Sequence, residues 1–154
     1  MKVIVPGSYD PVTLGHVDII RRAAEENEQV YAVIFVNPEK KYTFSLDDRV
    51  RMLILATDEF DNVLVSYSNG MVVDYMREHG IEKIVKGYRN DTDYAYEMKQ
   101  AEYNMNYGGY ETELKKCDPA LFDISSTLAR ERIREGEDTE GILPKVVADY
   151  ISRM

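Results

Sequence analysis

Short β-branched runs alternate with stretches of helical period along the whole chain, and this alternation restricts the fold more than any other feature. Residues 2–5, 30–36, 62–67, 83–85 and 113–117 read as strands. The run Val30-Tyr31-Ala32-Val33-Ile34-Phe35-Val36 is too short and too continuously apolar for an amphipathic helix, so it reads as a strand buried on both faces. Helical stretches fall between. Residues 15–27 place Val17, Ile20, Ala23 and Ala24 on one side, and 45–58 begin at a capping Ser45 and continue through Val50, Leu53, Ile54 and Thr57. Residues 70–79 end at Gly80, and 93–106 form a longer segment. Residues 126–134 and 144–152 close the chain, the last with Pro144 at a tolerated first-turn position.

The pattern predicts an α/β fold with a Rossmann-like, open, parallel five-stranded sheet and helices on both faces. With 154 residues and 44% apolar content, a single domain over 1–154 with one full core is expected. Such a sheet binds ligands beyond the carboxyl ends of its strands, and the chemically distinctive residues fall there. Val5-Pro6-Gly7-Ser8-Tyr9-Asp10-Pro11 follows the first strand and runs into Thr13-Leu14-Gly15-His16. It reads as a phosphate-binding turn that delivers His16 to the positive start of a helix. Asn37 to Lys41 follows the second strand, Asn69-Gly70-Met71 the third, and Lys86-Gly87-Tyr88-Arg89 the fourth.

Each piece has a plainer reading. Lys40-Lys41 alone reads as a solvated loop, His16 as a cap or core histidine, and Ser125-Ser126-Thr127 as a helix N-cap. Gly87 between two cations is what close approach to a phosphate requires. Convergence on one sheet edge favours a site over the separate readings. Net charge is −9, which argues against a nucleic-acid duplex as partner and makes any cationic site a local one. Met1-Lys2 leads directly into a strand, with no leader-like apolar stretch and no run of membrane-spanning length, so a cytoplasmic location with no membrane partner is expected. Cys117 is the only cysteine, which excludes an intramolecular disulfide and a cysteine-based metal cage.

Thr13-Leu14-Gly15-His16 resembles the Thr/His-x-Gly-His signature of the nucleotidylyltransferase superfamily. With Asn37-Pro38-Glu39-Lys40-Lys41, Asn69-Gly70-Met71-Val72-Val73-Asp74, Lys86-Gly87-Tyr88-Arg89, Tyr96-Glu97-Met98 and Ile124-Ser125-Ser126-Thr127, the chain resembles the bacterial phosphopantetheine adenylyltransferases nearly end to end. That resemblance implies ATP and 4'-phosphopantetheine as substrates, Mg²⁺ as cofactor and a homohexamer. It implies catalytic roles for His16, Lys40 and Arg89. ATP contacts are expected from Ser8, Tyr9, His16, Gly87, Tyr88, Arg89 and Glu97, and from the segment Leu121, Phe122, Asp123, Ile124, Ser125, Ser126 and Thr127. Phosphopantetheine contacts are expected from Ser8, Lys40, Met71, Val72 and Lys86. Ser8, Leu14, Lys86 and Leu121-Phe122-Asp123 depart from the commonest family pattern. A nucleotidyl transferase with a nicotinate mononucleotide or glycerol phosphate acceptor, and a non-catalytic nucleotide-binding module, remain open on sequence alone. The stretch from Tyr94 to Tyr110 carries more aromatic and Met side chains than one buried helix face uses, so an interface is expected there.

Overall fold

The computed structural model describes residues 1–154. Five parallel strands, β1 (Lys2–Gly7), β2 (Gln29–Phe35), β3 (Val63–Ser68), β4 (Lys83–Tyr88) and β5 (Glu111–Lys116), lie in the order β3-β2-β1-β4-β5. Six helices connect and close them: α1 (Leu14–Glu26), α2 (Leu46–Thr57), α3 (Val72–His79), α4 (Asp91–Gly108), α5 (Ser126–Arg134) and α6 (Lys145–Ser152). The expected α/β fold and the five-stranded parallel sheet are both present. Strand order reverses between β1 and β4, so a crevice opens at their carboxyl ends.

Side-chain alternation along the strands builds two apolar layers. Val3 and Val5 of β1 join Val30, Ala32 and Ile34 of β2 and Val85 of β4 on one face, where Ile19, Ile20, Met52, Leu53, Ala129 and Val147 cover them. Ile4, Val33 and Ile84 point the other way, against Tyr75, Met76 and Ile81. Truncating a fully buried member such as Ile4 to Ala would cost about 2–5 kcal/mol.

Two boundaries differ instructively from the sequence reading. β4 runs on to Tyr88, so Lys86, Gly87 and Tyr88 belong to the strand rather than following it. A Cβ on Gly87 would lie 2.7 Å from Ile19 Cγ1, so this glycine lets α1 press against the sheet. The second difference is α4. It spans 18 residues with none buried, and exposes Tyr94, Tyr96, Met98, Tyr103, Met105 and Tyr107. Strand β5 is a sheet edge, and its Lys115 is buried against Glu26 (2.6 Å) and Glu113 (3.0 Å). No helix is long and apolar enough to cross a membrane.

Candidate nucleotide and acceptor site

The loop after β1 is held in an uncommon shape. Tyr9 has a positive φ of 49°, and its buried ring sends the hydroxyl back to donate to Val5 O at 2.7 Å. The Asp10 carboxylate accepts from the Thr43 and Phe44 amides, each at 2.9 Å. From the other side Arg130 donates to Asp10 O (2.9 Å) and Ser126 Oγ to Pro11 O (2.8 Å). Loops and a helix remote in sequence thus fix Ser8 to Pro11 in place.

Thr13 caps α1 in a reciprocal box. Its side chain accepts the His16 amide at 3.4 Å while its own backbone N–H donates to His16 Nδ1 at 3.0 Å. Glu or Gln usually takes that third position, and here an imidazole does. Leu14 N–H donates to Ile142 O, so the Gly15 N–H is the one uncommitted donor of the turn. At the start of α5, Ser125 Oγ accepts from Leu128 N–H at 3.0 Å, which leaves the Ser126 and Thr127 N–H groups free. Two helix starts therefore present amide donors to one space.

That space is a cleft of about 600 Å³. Ser8, Tyr9, Gly15 and His16 line it from the first loop and α1, Lys40 from the β2–α2 loop, and Lys86, Gly87, Tyr88 and Arg89 from the end of β4. Glu97 of α4 and Leu121, Ile124, Ser125, Ser126 and Thr127 line it as well. A second cavity of about 250 Å³ shares Ser8, Lys86 and Glu97 with the cleft and reaches Phe35 and Val72. The two meet at Ser8, Lys86 and Glu97, and on the larger side Lys40 Nζ stands 3.4 Å from Ser8 Oγ.

Three expected contacts are not brought there. Phe122 follows a 3-10 turn over Pro119–Leu121, and its ring lies 5.5 Å from the Lys116 ammonium. Asp123 is exposed, and Met71, at the N-cap of α3, is exposed as well. None of the three lines either cavity. Conversely Asp10, Thr13, Asp93, Tyr96, Cys117 and Arg130 line the cleft without having been assigned to it. For Arg130 the signal was its place one turn after Thr127, whose hydroxyl it approaches at 3.2 Å.

Charge is concentrated locally, as a net acidic chain requires. Arg89 is anchored to Asp93 through Nε at 2.8 Å and its own amide at 3.2 Å, and Lys86 lies 3.7 Å from Glu97. Burial, with Lys86 and Arg89 nearby, lowers the His16 pKa from 6.5 to about 4. Burial raises the Glu97 carboxyl above its ordinary value, against the pull of Lys86. It likewise raises the Cys117 thiol, which keeps it protonated rather than nucleophilic. The arrangement can bind a polyphosphate and stabilise charge developing on it.

The chain is similar to known proteins over most of its length. A family model described as cytidylyltransferase-like matches residues 4–132. The phosphopantetheine adenylyltransferase of Thermobifida fusca (strain YX) is 40% identical over 150 residues, covering 97% of this chain and 92% of the relative. That of Corynebacterium efficiens is 40% identical over 154 residues, covering 99% and 97%.

Proposed function

Because the chain belongs to the phosphopantetheine adenylyltransferase family, we infer that it transfers the adenylyl group of ATP to 4'-phosphopantetheine, giving dephospho-coenzyme A and pyrophosphate. The observation that carries the division of the site is the junction of the two cavities at Ser8 and Lys86, with His16 in the larger one. ATP takes the larger cleft. The acceptor arm takes the smaller cavity, and its phosphate lies between Lys40, Ser8 and Lys86.

The acceptor's phosphate monoester is ionised at neutral pH, so one of its oxygens attacks the α-phosphorus without a general base. That new P–O bond replaces the bond from the α-phosphorus to the oxygen bridging to the β-phosphorus, and pyrophosphate leaves. Catalysis is then alignment of two anions and stabilisation of the charge that gathers on the α-phosphate. Lys40, Lys86 and Arg89 offset the repulsion. His16, neutral above about pH 4, donates through Nε2 to an α-phosphate oxygen. The amides of Gly15, Ser126 and Thr127 bind the remaining phosphate oxygens.

No group of three or more His, Cys, Asp or Glu side chains is placed to hold a metal ion. The proposed Mg²⁺ therefore belongs to the ATP phosphates, and no step of this reading depends on a protein-held ion. The exposed aromatic face of α4 supports a homohexamer, since a closed assembly would bury it. We also propose a cytoplasmic location for the enzyme. Mass analysis of products from ATP, Mg²⁺ and 4'-phosphopantetheine tests the reaction: dephospho-coenzyme A is expected, and its absence would overturn the reading.

A further inference from the structure

Arg49, in the first turn of α2, is almost fully buried and forms no ion pair. Its fork divides between two loops: Nη1 donates to Ser8 O at 3.0 Å and Nε to Phe44 O at 3.2 Å. The guanidinium lies against the face of Tyr42, 3.9 Å from the ring centroid, and the Tyr42 hydroxyl accepts the Asn37 N–H at 2.9 Å. Lys40 stands between Asn37 and Tyr42, its ammonium 5.4 Å from the same ring. The cation thus holds one end of the segment that carries Lys40 directly, at Phe44, reaches the other through Tyr42, and joins both to the backbone of Ser8. A buried charge costs folding energy unless its surroundings are arranged for it, and here two carbonyls and an aromatic face meet the guanidinium.

We propose that Arg49 is a positioning residue for adenylyl transfer, setting the separation of Lys40 and Ser8 so that the acceptor phosphate is held in line with the nucleotide. The role depends on the planar fork: a lysine can reach one carbonyl but cannot donate to both and stack on Tyr42 together. The Asp10 carboxylate closes the same two loops through the Thr43 and Phe44 amides and works in parallel. This inference rests on the adenylyl-transfer reading and deepens it.

The test compares wild type with Arg49→Lys and Tyr42→Leu in steady-state kinetics, alongside hydrogen exchange of residues 37–44. Tyr42→Leu leaves the buried cation in place and serves if Arg49→Lys does not fold. Moving Lys40 away from the acceptor phosphate weakens a charge-assisted bond, on the order of ten- to a hundredfold in binding. Each variant should therefore raise KM for 4'-phosphopantetheine by about tenfold or more with KM for ATP within about twofold, and should speed exchange at the Thr43 and Phe44 amides. A second loss should not add in the double variant. Equal rises in both KM values, or lower stability with both KM values unchanged, would mean a structural role only and overturn the proposal. Wild type that makes no dephospho-coenzyme A would instead fail the underlying reading, and the exchange experiment would still report on the brace.

Discussion

The backbone N–H of Thr13 donates to His16 Nδ1 at 3.0 Å, and this bond settles which nitrogen of the imidazole carries the proton. With Nδ1 accepting, the neutral ring holds its proton on Nε2, the atom left for the cleft. A helix cap therefore sets the tautomer of the group that faces the phosphates. His16→Ala should lower kcat by about a hundredfold or more, the scale for losing one preorganised donor, with ATP affinity changed only modestly. Single-turnover kinetics on the folded variant check this, and unchanged turnover would remove His16 from the mechanism.

The same residue gives acid sensitivity a direction. Folded His16 takes its proton only near pH 4, whereas a solvated imidazole does so near 6.5. Between those values unfolding takes up a proton, so acid in that window favours the unfolded chain. The stabilisation is complete above about pH 6.5 and is lost as pH falls toward 4, with a slope approaching about 1.4 kcal/mol per pH unit for one proton. Urea titrations of wild type and His16→Gln across that range should differ in slope, and parallel profiles would refute the assignment.

Lys40 and Lys86 should separate from the nucleotide side in binding. Replacing either by Ala is expected to weaken 4'-phosphopantetheine by about 1.5–3 kcal/mol, the scale of a lost charge-assisted bond, and ATP by much less. Calorimetry with each substrate alone measures both values. The reverse order would exchange the two cavities.

Gly87→Ala tests packing rather than chemistry. The added Cβ would stand 2.7 Å from Ile19 Cγ1 and 2.9 Å from Cδ1, an overpacking expected to cost about 1–3 kcal/mol. Adding Ile19→Ala removes both opposing atoms, so the double variant should be more stable than the two single losses predict. Strict additivity in chemical denaturation would show that no such conflict exists.

Assembly is predicted from the outer face of α4. Light scattering at micromolar concentration should return a mass several times that of the 17.8 kDa chain. Tyr103→Lys, placed where Tyr103 and Tyr107 stack at 5.7 Å, should lower that mass. A wild-type monomer at every concentration would eliminate the interface.

Much of the fold was legible because the signals were local. The continuous apolar run of β2, the Ser45 cap that receives the Asp48 amide, and Gly80 with its positive φ each state their structure within a few residues. Strand ends were less legible, since Lys86 to Tyr88 continue β4 only because β5 offers partners for them. The site divided the same way. Phosphate-loop and helix-start residues carry spacing that can be read directly, whereas Arg49 reaches Ser8 across 41 positions and Arg130 reaches Asp10 across 120. No periodicity encodes such contacts. Gly87 was read as an approach to phosphate, and its tightest neighbour is Ile19.

Arg89 meets Asp93 and Lys86 lies near Glu97, so α4 supplies a counter-charge to each of two cations at the end of β4. A phosphate that binds either cation competes with a carboxylate of α4 for it. A singly charged anion gains little from that competition, while a phosphate chain that meets Arg89 and also reaches the amides of the helix starts gains more. At this edge of the sheet the two carboxylates of α4 therefore weigh against weakly charged ligands and in favour of multiply charged ones.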